Sequence, residues 1–199
     1  MTFRQKSRDY MGRSLMSAGM SSKLVGIFTV LILLLTDAAA PQAAFMPNFT
    51  LPSVVNGEDV NSNEFKDKVL LVTFFATWCG PCLQEIPTLI RLQKELSKKG
   101  FSVIGLSVDK DGRYAVKELV EKEKINYPVL LSNHEATSGF GRISLIPTSF
   151  LINNDGEIVD EYHGHMGYQQ LKKDIIPLLT SKGAKRRKTV IIIHKMIEI

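Results

Sequence analysis

The segment KVLLVTFFATWCGPCLQEIP, residues 68–87, constrains the fold more than any other part of the chain. Its near-continuous apolar run at 68–76 is typical of a β-strand buried on both faces. The pattern that follows predicts a helix over 81–99. Between strand and helix stand Cys79 and Cys82, the only 2 cysteines in the sequence. A strand that leads directly into a helix indicates an α/β fold with the cysteine pair at the junction.

The other segments complete a plan of alternating strands and helices. They predict, in chain order, a hairpin at 47–65, a buried strand at 101–109, an amphipathic helix at 112–124, an extended segment at 127–132, a hairpin at 148–164 and a helix at 168–180. The Asn-Asp-Gly triplet within the second hairpin is a typical turn sequence. This order predicts a central mixed β-sheet flanked by helices.

Charge divides the chain into an N-terminal segment at 1–44, a folded domain at 45–180 and a tail at 181–199. The N-terminal segment has five basic and two acidic residues, and the tail has six basic residues and one acidic residue. The domain has 14 basic and 17 acidic residues. The net charge of +5 therefore belongs to the two ends, and the domain itself is mildly acidic. This distribution argues against a nucleic-acid-binding domain. The tail is basic and then apolar, and it fits no element of the plan.

The N-terminal segment has the order of an export signal. A basic stretch precedes an uncharged, mostly apolar run at 24–36, and small residues follow it. The run is shorter than the roughly 18–20 residues of a full membrane span. We therefore expect an extracytoplasmic protein, such as a periplasmic one, that is either released by cleavage or anchored by 24–36. In such a compartment an exposed thiol pair can be oxidised.

The position of the cysteines predicts different roles for them. Cys79 stands at the N-terminal end of the predicted helix, where the partial positive charge and the free N–H groups favour a thiolate. We expect Cys79 to be exposed, with a pKa below that of a free cysteine, and to attack a disulfide as a thiolate. Cys82 lies one helical turn further on, and we expect it to be shielded and to resolve the mixed disulfide.

A C-x-x-C sequence also fits a zinc site or a small structural disulfide. Zinc needs four ligands, and besides the two cysteines the chain offers four histidines, namely His134, His163, His165 and His194. A structural disulfide stabilises most when it closes a long loop, and this one closes a very short loop. The motif and its context favour a redox pair.

The sequence FATWCGPC, with a strand before it and a helix containing Pro87 after it, resembles the thioredoxin superfamily. The segment LIPTSFLIN at 145–153 resembles the cis-proline loop of that superfamily. The resemblance implies a thioredoxin fold with an N-terminal β-hairpin and a central αβ insertion. It also implies that the pair acts without a cofactor or a metal, and that substrate contacts come from Trp78, Gly80, Pro81, Ile146 and Pro147, with Pro147 in the cis form.

Within that superfamily, residues 46–180 resemble the TlpA/ResA-like thiol–disulfide oxidoreductases. The resemblance implies a reductant of disulfides in secreted proteins, for example apocytochrome c, supplied by a membrane electron donor. Thr73 stands where thioredoxin has a buried aspartate, and a threonine cannot transfer a proton as a carboxylate does. Glu85 is the nearest candidate base, and the alternative for Glu85 is a solvated helix position. The alternative function is copper binding by the same cysteines with His163 or His165.

Overall fold

The computed structural model describes residues 44–180, apart from 111 and 142. All of them belong to the second of two compact units, Ala43–Ile199. The export segment at 24–36 and the tail at 181–199, both inferred from sequence, lie outside the described residues. Within the described part, no helix combines the length and the apolar character that crossing a bilayer requires.

The described chain forms two β-sheets. The strands are β1 (Thr50–Pro52), β2 (Asp59–Asn61), β3 (Val69–Phe75), β4 (Phe101–Ser107), β5 (Val129–Leu131), β6 (Thr148–Ile152) and β7 (Ile158–His163). β1 and β2 pair as a hairpin, and the other five form a sheet in the order β5-β4-β3-β6-β7. β3 runs parallel to β4 and antiparallel to β6, so the predicted mixed sheet is confirmed. Every residue of β3 and β4 is buried, as their apolar runs predicted.

Four α-helices flank the sheet in the described region. They are α1 (Gly80–Leu96), α2 (Arg113–Glu123), α3 (His134–Gly139) and α4 (168–180). α1 carries Pro87 in its interior, and a 3-10 turn (Ser97–Lys99) extends it to Gly100. Gly100 has a φ of 88°, a left-handed conformation that suits glycine, so the helix ends where the sequence predicted. The sequence pattern did not predict α3, because its six residues are too few to show an apolar period.

The sheet has an apolar core on each face, because successive side chains of a strand point to opposite sides. Leu71 and Phe75 of β3 belong to one core, to which α1, α2 and α4 contribute. Leu70, Val72 and Phe74 belong to the other, which the hairpin, a 3-10 helix (Ser62–Phe65) and α3 help to close. This packing fixes β3 at the centre of the domain, and β3 leads into the cysteine pair.

A polar cluster joins α1 to α4 on the surface. The Glu95 carboxylate accepts hydrogen bonds from the Tyr168 hydroxyl at 2.5 Å, the Lys172 ammonium at 2.9 Å and Arg91 Nε at 3.0 Å. The Arg91 guanidinium also lies 3.7 Å from the centre of the Tyr168 ring. These contacts hold the pKa of Glu95 at about 2, well below its ordinary value of 4.5, with the Tyr168 hydrogen bond as the largest cause.

The described chain enters the domain along β7. Phe45 bridges to Glu157, and the Met46 N–H donates to the Gly156 carbonyl at 2.9 Å. These partners lie in the β6–β7 turn, which comes after Ile152, at the end of the sheet where β6 finishes. Cys79 comes after the end of β3, where Phe74 pairs with Thr148 at the start of β6. The chain entry and the cysteine pair therefore lie at opposite ends of the strands.

Candidate active site around the Cys79–Cys82 disulfide

A single turn carries the chain from β3 to the cysteine pair. The Cys79 N–H donates to the Ala76 carbonyl at 3.2 Å, and α1 begins at the next residue. Cys79 is the N-cap of α1, and its sulfur accepts the Cys82 N–H at 3.3 Å. The two sulfurs form a disulfide with an S–S distance of 2.03 Å. Gly80 and Pro81, between them, are exposed, so the backbone that links the two cysteines lies at the surface.

The prediction that Cys79 is exposed is wrong for this oxidised form. Cys79 is 5% exposed and Cys82 is 2% exposed, so only the expected shielding of Cys82 is confirmed. Cys79 is covered because its sulfur lies 3.7 Å from the Ile146 carbonyl oxygen. The exposed apolar group of the turn is Trp78, at 72% exposure, which excludes core packing of its indole.

The loop before β6 places Ile146 and Pro147 beside the disulfide. The Ile146–Pro147 peptide bond is cis, as the resemblance to thioredoxin implied. The Pro147 carbonyl accepts the Gly164 N–H at 2.8 Å, and the Thr148 hydroxyl donates to the Leu145 carbonyl at 2.8 Å. These bonds anchor both sides of the loop, so that residues distant from the cysteines in sequence adjoin them in space.

A groove of about 450 Å³ adjoins this loop. Its lining joins the active-site turn to α3 and to the segment before Pro147, and it includes Trp78, Val108, Ile143, Leu145 and Ile146. Leu145 is 55% exposed, so two large apolar side chains of the groove face solvent. Sequence reasoning identified Trp78 and Ile146 but not Val108, Ile143 or Leu145, which become neighbours only through the fold.

Glu85 is buried, so the alternative of a solvated helix position is excluded. It is 1% exposed and lies one helical turn after Cys82. Burial raises the pKa of Glu85 from its ordinary value of 4.5 to about 7, and the Met166 N–H, which donates to Oε1, opposes this rise. Burial, with a contribution from the Glu85 charge, also raises the pKa of Tyr127. Glu85 is therefore balanced between its protonated and ionised forms near neutral pH.

Thr73 carries no titrating group to the centre of the sheet. It is 2% exposed, and its hydroxyl accepts a hydrogen bond from the Ser149 hydroxyl at 2.9 Å. Ser149 is its direct partner on β6. The position that resembles the buried aspartate of thioredoxin thus holds a satisfied pair of hydroxyls.

Asp109 is a neighbour of the turn that sequence reasoning missed. It follows β4, and its carboxylate accepts the Thr77 N–H and hydroxyl and the Ser107 hydroxyl. The available signal was its place in the sequence: a charged residue just after a fully buried strand lies at the sheet edge where α/β proteins form sites.

The histidines considered as metal ligands do not gather into a metal-binding cluster in the described part of the chain. His163 ends β7, where Nδ1 is 3.3 Å from the Thr148 hydroxyl and Nε2 is 3.5 Å from Glu161. Among the residues that the structure describes, no three or more His, Cys, Asp or Glu side chains gather as metal ligands would. His194 lies outside the described residues.

Comparison with known proteins agrees with this geometry. The Redoxin family profile matches residues 41–175. Thiol-disulfide oxidoreductase ResA of Bacillus thuringiensis subsp. konkukian is 34% identical over 128 residues, 64% of this chain and 72% of that protein. ResA of Bacillus subtilis is 30% identical over 120 residues, 60% of this chain and 66% of that protein. A thioredoxin-family thiol:disulfide interchange protein from Chlorobium tepidum TLS superposes with a TM-score of 0.65 at 31% identity, over 71% of this chain and 99% of that chain.

The fold and the cysteine pair at the start of α1 define a thiol–disulfide oxidoreductase of the thioredoxin fold. Within that class, the chain belongs to the Redoxin family and is a ResA-like member of the thioredoxin superfamily.

Proposed function

We propose that this protein is exported and reduces disulfides in secreted proteins, for example apocytochrome c, through Cys79 and Cys82. The observation that carries the proposal is the disulfide at the start of α1, which lies beside the Ile146 carbonyl and next to the exposed Trp78. A substrate chain can pair with the backbone of Ile146 while its disulfide meets Cys79. The Gly80-Pro81 dipeptide, which thioredoxin shares, supports the reducing direction.

In this reaction the two cysteines exchange two electrons with the substrate. The Cys79 thiolate attacks one substrate sulfur, a mixed disulfide forms, and the other substrate sulfur leaves as a thiolate that takes a proton. Cys82 then loses its proton and attacks Cys79. This step releases the substrate as a dithiol and leaves Cys79 and Cys82 as a disulfide. A membrane electron donor returns the pair to the dithiol.

Glu85 assists the second step by accepting the proton of Cys82. The support is its position one turn along α1 and its pKa of about 7, because a base whose pKa is near the working pH exchanges protons most effectively. Pro147 and Ile146 align the substrate backbone, while Trp78, Gly80 and Pro81 provide the surface around the reacting sulfurs.

The direction of electron flow is tested by the reduction potential of the Cys79/Cys82 pair. A value near the about −270 mV of thioredoxin supports a reductant, whereas a value near about −120 mV belongs to an oxidant and refutes the proposed direction. Equilibration of the purified protein with glutathione or dithiothreitol buffers of known potential, followed by thiol counting, measures it.

Export is tested with a reporter. Alkaline phosphatase folds only where its disulfides form, so a fusion after residue 60 should be active outside the cytosol. A control fusion that lacks residues 24–36 should be inactive. A full-length fusion that is stably expressed but inactive would contradict export, while leaving the oxidoreductase chemistry intact.

A further inference from the structure

The carboxylate of Asp109 is the centre of a hydrogen-bond cluster beyond the ends of β3 and β4. It accepts the Thr77 N–H at 3.1 and 3.2 Å and the Thr77 hydroxyl at 2.6 Å. The Ser107 hydroxyl donates to it at 2.8 Å and accepts the Asp109 N–H at 3.1 Å. Because Phe75 and Ser107 are the last paired residues of the two strands, the cluster ties the chain segments together just after their ladder ends.

Thr77 lies in the turn that delivers Cys79. The N–H of Cys79 closes this turn onto the Ala76 carbonyl at 3.2 Å. The second residue of a four-residue turn has an N–H that finds no partner within the turn, and Asp109 accepts it from Thr77. The third residue is Trp78, whose side chain is 72% exposed. Packing therefore covers little of the indole, and the backbone of the turn sets where it points.

We propose that Asp109 is a positioning residue for thiol–disulfide exchange. By accepting hydrogen bonds from Thr77, it fixes the turn at 76–79 and thereby orients Trp78 and Cys79 toward a bound disulfide. It takes no proton and makes no bond to substrate. The inference depends on the oxidoreductase activity alone, and it holds whether or not the protein is exported or acts as a reductant.

Two variants of Asp109 separate hydrogen bonding from charge. Asparagine keeps an oxygen that can accept the Thr77 N–H and one of the two hydroxyls, and its amide can donate to the other hydroxyl, so it preserves the cluster without the charge. Alanine removes the acceptors. We expect Asp109→Ala to lower kcat/KM for the reduction of insulin disulfides about tenfold, through misplacement of the reacting groups. Asp109→Asn should stay within about threefold of the wild type.

Trp78 provides a direct spectroscopic test, because it is the only tryptophan in the sequence. Time-resolved fluorescence anisotropy should show freer motion of the indole in folded Asp109→Ala and wild-type motion in Asp109→Asn. A residue that merely stabilises the fold would change the unfolding midpoint without changing the motion of Trp78 in the folded protein.

Control variants complete the design. Asp174→Ala removes a carboxylate of α4 that accepts two hydrogen bonds, one from the Tyr162 hydroxyl at 3.0 Å and one from the Gln170 amide at 2.9 Å. It should leave the kinetics and the Trp78 anisotropy unchanged.

A second test variant, Thr77→Val, replaces Asp109→Ala if that variant does not fold. It keeps the backbone N–H bond to Asp109 but loses the 2.6 Å hydroxyl bond. Thr77→Val should lose about threefold in kcat/KM, and the motion of the Trp78 indole should be intermediate between that in the wild type and that in Asp109→Ala.

Equal losses in Asp109→Asn and Asp109→Ala, with a changed pH profile of Cys79 alkylation by iodoacetamide, would show that Asp109 acts through charge and would overturn the proposal. Wild-type kinetics and wild-type Trp78 motion in Asp109→Ala would overturn it as well. If the wild type itself reduces no insulin, the oxidoreductase assignment fails, and the Trp78 anisotropy still decides whether Asp109 fixes the turn.

Discussion

Replacement of Glu85 by glutamine removes a buried ionisable group but keeps an oxygen that can accept the Met166 N–H. Burial raises the pKa of Glu85 from 4.5 to about 7. At about 1.4 kcal/mol per pKa unit, the ionised carboxylate is therefore disfavoured in the folded protein by about 3 kcal/mol. Between these two pKa values the folded state binds more protons than the unfolded state. The contribution of Glu85 to the free energy of unfolding should thus be highest below pH 4.5 and fall as the pH rises to about 7.

The measurement is urea unfolding of the oxidised protein at closely spaced pH values on both sides of this window. Relative to Glu85→Gln, the wild type should lose about 3 kcal/mol of unfolding free energy across the window, and the difference should level off above it. Glu118→Gln makes the same chemical change at an exposed position of α2 and controls for the loss of one charge. A difference between wild type and Glu85→Gln that is flat with pH would refute the burial argument.

The same variant tests the proposed proton transfer. We expect an inflection in the wild-type rate near pH 7, because burial raises the pKa of Glu85 to about 7. Glu85→Gln should slow thiol–disulfide exchange and remove this inflection. Stopped-flow mixing of the reduced protein with a disulfide peptide gives both rates. Identical rates for the two proteins over the whole pH range would remove Glu85 from the mechanism while leaving its effect on stability in place.

Three other perturbations test the roles of particular side chains. Cys82→Ser should accumulate mixed disulfides with substrate proteins on a non-reducing gel and Cys79→Ser few, because only Cys79 attacks; equal trapping would reverse this assignment. Glu95→Gln should lower the urea midpoint near neutral pH but not near pH 2. The contacts that depress the pKa of Glu95 stabilise its ionised form, so their contribution to stability is lost as the pH falls. A loss of stability that does not depend on pH would contradict this reasoning. Leu92→Ala, at a position with 0% exposure, should cost about 2–5 kcal/mol in chemical unfolding, and Leu83→Ala, at 36% exposure, should cost clearly less.

The elements that the sequence predicted are those whose pattern is local. β3 and β4 are continuous apolar runs, and the active-site helix ends at Gly100. The cis peptide before Pro147 was predicted only through a resemblance, because most bonds of this type are trans. Local patterns therefore located the cysteine pair and the strand beneath it.

Features that depend on distant contacts could not be read from the sequence. Cys79 is covered by the Ile146 loop, which is separated from it by 67 positions. Glu85 is buried although it is a charged residue on a helix, because the segment at Met166 packs over it from beyond β7. Asp109 gains its partners only when β3 and β4 end side by side. In each case the decisive neighbour comes from another element, and no spacing within the segment encodes it.

The entry of the chain beside Glu157 and Gly156, at the sheet end away from Cys79, has a practical consequence for handling the protein. A resin or a biosensor surface coupled at Ala44, whose carbonyl accepts the Ile158 N–H, attaches beside the β6–β7 turn, and so the disulfide points away from the support. Surface-immobilised protein attached in this way should capture substrates as readily as free protein. Coupling through a lysine introduced at the exposed Gly80 should instead block them.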